Sequence, residues 1–220
     1  MLKLDNVSYR YKNGDRDVLK NVSVHFEGGQ ICAVVGPSGS GKTTLLSIMA
    51  GLDRPMNGKV TIDGDDLAIM DLDQYRRERI SMIFQAFQLF PLLTAKENVS
   101  TPLLMNGAER KKAMETAAGL LESVGIEAYK HKRYPANLSG GEQQRVAIAR
   151  SLSTGAKVIM ADEPTGNLDE ANGQAVINIL KKLAHDDGYC VIIVTHNLDI
   201  AAASDVVYRM SDGVLTKRED

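Results

Sequence analysis

Ile31-Cys32-Ala33-Val34-Val35-Gly36-Pro37-Ser38-Gly39-Ser40-Gly41-Lys42-Thr43 passes from an apolar, β-branched stretch straight into a glycine-rich one, and a helix-forming run, Thr44 to Ala50, follows. The apolar half shows no alternation, which is the pattern of a strand covered on both faces. The second half fits G-x-x-x-x-G-K-S/T in the strand-then-helix setting that the pattern requires. Its glycines let backbone N–H groups turn inward on a phosphate, and the helix N-terminus adds positive potential. Lys42 is placed to bridge β- and γ-phosphates and the Thr43 hydroxyl to ligate Mg²⁺. A Gly/Ser surface turn would explain the loop alone, but not strand, loop and helix in that order.

Two later runs, Val158 to Ala161 and Cys190 to Val194, repeat the unalternating apolar pattern, so the expected fold class is α/β around a parallel sheet. Val22-Ser23-Val24-His25-Phe26 instead alternates, as a half-solvated antiparallel strand does, and leaves His25 as a wet surface residue. More than a hundred residues separate the first buried strand from the second, too many for one crossover helix. An inserted helical subdomain is therefore expected over 88–137, within one domain (1–220) whose core is 1–87 and 138–220 and includes an N-terminal antiparallel β subdomain. Thr94 and Glu97 fit a capping box, and Ala108 to Val124 is rich in helix formers. The last four residues, Lys217 to Asp220, read as a disordered tail.

The chain has 220 residues, 44% of them hydrophobic, enough to bury a large core without disulfide or metal. Its 26 basic and 28 acidic side chains give a net charge of -2, with no long block of one sign, so no electrostatic footprint for nucleic acid is expected. Cys32 and Cys190, each inside an apolar run, read as buried thiols of the kind a reducing cytosol keeps. No stretch approaches the roughly 18 apolar residues of a membrane span. Met49, Met160 and Met210 read as core filler, and Arg76-Arg77-Glu78-Arg79 as a solvated helix face.

Three more strings carry chemistry. The strand at Val158 ends in Asp162-Glu163, bringing two carboxylates to the sheet edge where open α/β folds bind ligands. Asp162 suits the Mg²⁺ held by Thr43, and Glu163 can polarise a water in line with the γ-phosphate. The strand at Cys190 ends in Thr195-His196, where His196 can sense the γ-phosphate, while His131 and His185 lie in polar stretches. Leu138-Ser139-Gly140-Gly141-Glu142-Gln143 opens a helix with a capping box, Ser139 to Glu142. The cap leaves Gly140 and Gly141 unexplained, because glycine in a first helical turn carries an entropic penalty, so a ligand approaching the backbone is expected there as a second anion site.

A phosphate loop, a mid-chain LSGGEQ string, a strand ending Asp-Glu and a strand ending Thr-His, in this order, resemble the nucleotide-binding subunit of an ABC transporter over nearly the whole chain. The resemblance implies that Gly36 to Thr43 is the Walker A motif and, with Thr44, binds ATP. It makes Gln85 the Q-loop glutamine, grouped with Thr43 and Asp162 at Mg²⁺, and Ser139 to Gln143 the signature contacts to nucleotide. Glu163 becomes the catalytic base, Asn167-Leu168-Asp169 the D-loop, and His196 the switch histidine, with Lys42 and Gln85 also catalytic. Tyr11, or its rival Tyr9, takes the place of the aromatic that stacks on adenine. The family arrangement sets two copies head to tail around two ATP, and that places the second anion site.

The implied function is a cytoplasmic Mg-ATPase subunit, peripheral on the inner face of the membrane, that drives a separate membrane-spanning partner. Glu163 to Asp169 is similar to the branch with lipoprotein-release, macrolide-export and antimicrobial-peptide systems, which implies export or extraction of a lipophilic or peptide substrate. An ATP-driven signalling or mechanical module is the alternative. Three of the four phenylalanines, Phe84, Phe87 and Phe90, fall within seven residues, amid Leu89, Leu92 and Leu93. Phe84 is expected in the core, and Phe87, Leu89 and Phe90 are expected to dock the partner.

Overall fold

A computed structural model describes residues 1–12 and 14–218. In chain order the strands and helices are β1 (Leu2–Tyr9), β2 (Leu19–Phe26), β3 (Gln30–Val35), α1 (Lys42–Met49), β4 (Asn57–Ile62), β5 (Asp65–Asp66), α2 (Leu72–Glu78) and β6 (Ile80–Phe84). They continue with α3 (Ala95–Met105), α4 (Arg110–Ser123), α5 (Gly140–Leu152), β7 (Val158–Asp162), α6 (Glu170–His185), β8 (Cys190–Thr195), α7 (Leu198–Ala202), β9 (Val206–Ser211) and β10 (Val214–Lys217). Two sheets result. One is antiparallel, ordered β2-β1-β4-β5, and the other is ordered β10-β9-β3-β8-β7-β6, parallel except for its β9–β10 pair.

The three unalternating apolar runs, β3, β8 and β7, are neighbours at the middle of the larger sheet, where both faces are covered. Alternate residues enter different cores. Cys32, Val34, Met160, Ile192 and Val194 join the β1–β2 face and α1, while Ile31, Ile159, Ala161, Val191 and Ile193 meet α5 and α6. Cys32 and Cys190 are both buried free thiols, and burial pushes each up to about 12. Met49, Met160 and Met210 are fully buried. Among the described residues no helix is long and apolar enough to cross a membrane.

Between β6 and β7, helices α3 and α4 pack on each other and on α5. Thr94 caps α3 as expected, its hydroxyl accepting from Glu97 N and the Glu97 carboxylate accepting from Thr94 N. The inserted stretch is less helical at its start than 88–137 implies, because Phe87 and Gln88 adopt φ of 57° and 53° and turn the chain away from a helix before α3 begins. The tail also differs: Lys217 closes β10 and Arg218 N donates to Val207 O, since an antiparallel hairpin with β9 uses these groups. Glu219 and Asp220 lie outside the described residues. Arg76 is more than a solvated face, for its guanidinium donates to Gly51 O at 2.7 Å and pairs with Asp73.

Asn98, fully buried on α3, organises the segment before that helix. Its Oδ1 accepts from Phe90 N at 2.8 Å, and its Nδ2 faces the carbonyls of Phe90, Leu93 and Thr94 at 3.0–3.1 Å. Asn98→Ala strands a buried donor and several acceptors, so a loss of about 3 kcal/mol is expected in a denaturant melt. A loss below about 1 kcal/mol would mean that the segment does not rely on this side chain.

Candidate functional site

The strand register assembles the site. Val35 pairs with Thr195, Asp162 with Val194 and Phe84 with Asp162, so the residues that follow four parallel strands emerge along one edge. There they surround a cleft of about 630 Å³ lined by Tyr11, Val18, Ser38, Gly39, Gly41, Lys42, Thr43, Thr44, Gln85, Asp162, Glu163 and His196. This volume suits a nucleotide-sized ligand.

Gly36 is required by packing, since a Cβ there would lie 2.2 Å from Met210 O. Gly41 closes the loop at φ 110° and supplies no side-chain cap to α1, whose first turn carries no acidic residue. Bare amides therefore end α1 at the cleft, an arrangement that favours an anion. The buried Ser40 hydroxyl has no partner among the described residues, and the Lys42 ammonium rests on the carbonyls of Gly36 and Pro37 at 2.8 and 2.9 Å. Pro37, Ser38 and Gly39 form the exposed rim.

The two tyrosines separate. Tyr9 is buried in β1, whereas Tyr11, beyond the strand end, is half exposed at the cleft and shares a 2.9 Å hydrogen bond between its hydroxyl and Thr44 Oγ1. The rings meet edge to face at 5.1 Å.

Burial and the neighbouring Glu163 charge raise the Asp162 carboxyl, and Lys42 opposes them. Glu163 sits at φ 48°, a conformation that non-glycine residues adopt mainly where surrounding structure enforces it. Its Oε2 accepts from Thr195 Oγ1 at 2.8 Å, and its Oε1 accepts from His196 N at 3.0 Å and shares a 2.7 Å hydrogen bond with His196 Nδ1. Gln85 faces the same cleft and exchanges two hydrogen bonds with Asn167, Nε2 to Oδ1 at 3.1 Å and Nδ2 to the Gln85 carbonyl at 2.9 Å. Among the described residues no cluster of three or more His, Cys, Asp or Glu could hold a metal by itself. A divalent ion here would draw on Thr43, Asp162 and the phosphates of a nucleotide, which is the sparse protein ligation that Mg²⁺ tolerates.

Ser139, Gly140, Gly141, Glu142 and Gln143 do not line this cleft. They open α5, where Ser139 Oγ accepts from Glu142 N at 3.2 Å and Glu142 Oε2 accepts from Ser139 N at 2.8 Å. The two glycines have different reasons. A Cβ on Gly141 would fall 2.1 Å from Asn172 Oδ1 and 2.8 Å from Asn172 Cβ, so packing inside the chain accounts for it and no ligand is needed. Gly140 has ordinary clearance, with Leu168 and the Phe87 ring the nearest atoms at 3.6 and 3.7 Å, and it remains open to a ligand. Asp169 caps α6 and holds Asn172 through its backbone N–H and side-chain amide, and these donors keep its carboxyl below the usual range.

Several supporting residues escape a reading of the sequence. Arg150, near the end of α5, donates to Gln88 O at 2.5 Å and Phe87 O at 3.3 Å, pinning the left-handed pair after Gln85. Lys130 bridges Glu127 and Glu142 at 2.7 and 2.8 Å. His131 is buried, not wet, and its Nε2 donates to Ile126 O. Each partner lies outside the motif that it serves, so no local pattern marks it.

The family described as ABC transporter matches residues 19–166. The chain belongs to that family. It is 42% identical over 230 residues to the uncharacterized ABC transporter ATP-binding protein MJ0796 of Methanocaldococcus jannaschii, covering 100% of this chain and 97% of that one. It is 43% identical over 222 residues to the macrolide export ATP-binding/permease protein MacB of Escherichia coli K12, covering 99% of this chain but 34% of that longer protein. The dimeric structure of MJ0796 in a post-hydrolysis state, bound to ADP and Pi, superposes with a TM-score of 0.88 at 38% identity over 100% of both chains. This chain is accordingly an ATP-binding cassette of the ABC ATPase fold.

Gly141→Ala is expected to lower stability by about 1–3 kcal/mol through its clash with Asn172, while Gly140→Ala leaves stability unchanged or raises it by up to about 1 kcal/mol. Equal losses in denaturant melts of the two variants would refute the distinction.

Proposed function

We propose that two copies of this ATPase pair head to tail around two Mg-ATP, and that the pair drives a membrane-spanning partner from the cytoplasmic face, exporting or extracting a lipophilic or peptide substrate. The observation that carries the dimer is the separation just described: the phosphate loop and the Ser139–Gly140 end of α5, where Gly140 leaves room for a ligand, do not share a cleft within one chain. A second copy brings its Ser139–Gly140 end to the first copy's γ-phosphate. The dimeric state of MJ0796 with ADP and Pi supports this pairing.

In this reading Lys42 leaves the carbonyls of Gly36 and Pro37 for the β- and γ-phosphates, and Tyr11 stacks on adenine. Thr43 and Asp162, with Gln85 beside them, hold Mg²⁺, which supplies neutralisation of phosphate charge. Glu163 takes a proton from water as its oxygen bonds to the γ-phosphorus and the bond to ADP oxygen breaks, leaving ADP and Pi. His196, already hydrogen-bonded to Glu163, orients that carboxylate and meets the γ-phosphate. Asp169 and its neighbours Asn167 and Leu168 lie at the seam between copies.

Residues 88–137 form the helical subdomain that carries the partner contact. Phe87 is half-buried beside Gly140, and Leu89 leans on the core of β7 and α5. Phe90 and Leu92 face outward, with the Phe90 ring 5.9 Å from the Arg150 guanidinium. The docking patch therefore centres on Phe90, flanked by Phe87 and Leu89, on the segment that Gln85 begins. MacB's name, joining ATP-binding and permease functions in one protein, supports a membrane partner of the permease type.

Glu163→Gln is expected to slow hydrolysis by roughly 10²–10⁴-fold while ATP drives a stable dimer, read by phosphate release and gel filtration. Unchanged turnover with only monomer would remove Glu163 from the role. Phe90→Ser with Leu92→Ser should leave the melting transition intact and abolish co-purification with the membrane-spanning partner, whereas intact co-purification defeats the docking assignment.

A further inference from the structure

Resting on the reading that the Ser139 end of α5 meets a phosphate, a difficulty arises from the residue at the third helical position. Glu142 places a carboxylate in the first turn of a helix proposed to receive an anion. Such a charge stabilises an empty helix end but repels an arriving phosphate. The carboxylate is not free, however. Oε2 accepts from Ser139 N at 2.8 Å, and Oε1 meets the Lys130 ammonium at 2.8 Å, with the two side chains only 13% and 17% exposed. Little water screens the pair.

We propose that Lys130 is a positioning residue for nucleotide-driven dimerisation: it neutralises Glu142, so that this carboxylate can hold Ser139 in place without repelling the phosphate of a second copy. The surroundings fit. Lys130 also meets Glu127 at 2.7 Å, a carboxylate 61% exposed and so better screened, and it lies 5.0 Å from the Tyr129 ring, whose other cation is Arg133 at 5.2 Å. Its backbone is held on both sides, since Lys130 N donates to Glu127 O and Lys130 O accepts from Arg133 N, while His131 O and Arg133 O tie the turn to Lys96 N and Ala95 N of α3. The ammonium is thus presented to Glu142 by a fixed turn. The hydrogen bonds that Lys130 donates to Glu127, then to Glu142, hold it well above the usual lysine range, and Lys130 in turn holds Glu142 low.

The test uses the full chain carrying Glu163→Gln, with ATP and Mg²⁺, and sedimentation to measure dimerisation. Adding Lys130→Met should weaken ATP-driven dimerisation by about ten- to a hundredfold, the scale of one lost charge-assisted contact. The affinity of the monomer for a fluorescent ATP analogue, set at the phosphate loop, should not move. Adding Glu142→Gln to Lys130→Met should restore dimerisation, because an amide still accepts from Ser139 N and brings no charge. Rescue separates charge compensation from anchoring, since a neutral amide opposite a thioether cannot rebuild the ion pair. Dimerisation unaffected by Lys130→Met, or a double variant as weak as the single one, overturns the proposal. Ser139→Asp in the same background separates the two readings: if it blocks dimerisation while Lys130→Met does not, only the compensation fails, and if it dimerises normally, the phosphate contact and the compensation fail together.

Discussion

The parallel register of β6, β7, β8 and β3 is the constraint on which the rest depends. Buried strands must pair every backbone donor and acceptor, and a slip by one residue would turn each side chain to the opposite face. The core forbids such a slip, because Ile159 and Ala161 belong with α5 and α6 while Met160 belongs with the opposite layer. Once hydrophobic burial fixes that register, Lys42, Gln85, Asp162, Glu163 and His196 follow their strands to one edge without any further instruction. Packing and chemistry are here the same constraint.

Helix α5 carries that order away from the sheet. Its first turn holds Ser139 and Gly140, and its last turn holds Arg150, whose guanidinium fixes the carbonyls of Phe87 and Gln88. Two consecutive residues at positive φ are unfavourable for side chains with a Cβ, so the contacts from Arg150 offset a local strain of order 1–3 kcal/mol per residue. Gln85 begins that strained turn, and the outward Phe90 ends it. The proposed docking patch, α5 and the cleft are thus joined by the same few residues, and Asn98 ties Phe90 and the stretch that follows it to α3.

What could be read from the sequence was what is local. The phosphate loop, the acids at the end of β7 and the capping boxes are contiguous strings, and unalternating apolar runs announced the buried strands because burial on both faces leaves no polar positions. Lys130, Asn98, Arg150 and the buried His131 were not legible: Arg150 reaches a carbonyl 62 positions away, and Asn98 and His131 bond nearby carbonyls in irregular backbone that no periodic pattern announces. Gly141 teaches a related point. Its neighbour in space, Asn172, is invisible in the motif, so the glycine pair looked uniform although one member answers to packing and the other is open. Tyr9 and Tyr11 looked equivalent on an extended strand, and they separate because β1 ends at Tyr9.

Glu163 and His196 should be treated as one unit rather than as a base and a sensor with separate roles. The left-handed backbone at Glu163 is stabilised in part by its own side chain, which reaches across to Thr195 and to both the amide and the ring of His196. Thr195 is fully buried at the end of β8, so the strand itself aims the carboxylate. Removing either partner alters the position of the other, and energies measured for single substitutions at such a pair do not add. The ring is largely exposed while the carboxylate is not, with side-chain exposures of 75% and 17%, so the cleft is open to the histidine far more than to Glu163. Drawing the His196 ring away would leave Oε1 with the His196 amide alone and Oε2 with Thr195, so the carboxylate would lose one of its three donors while its aim is kept.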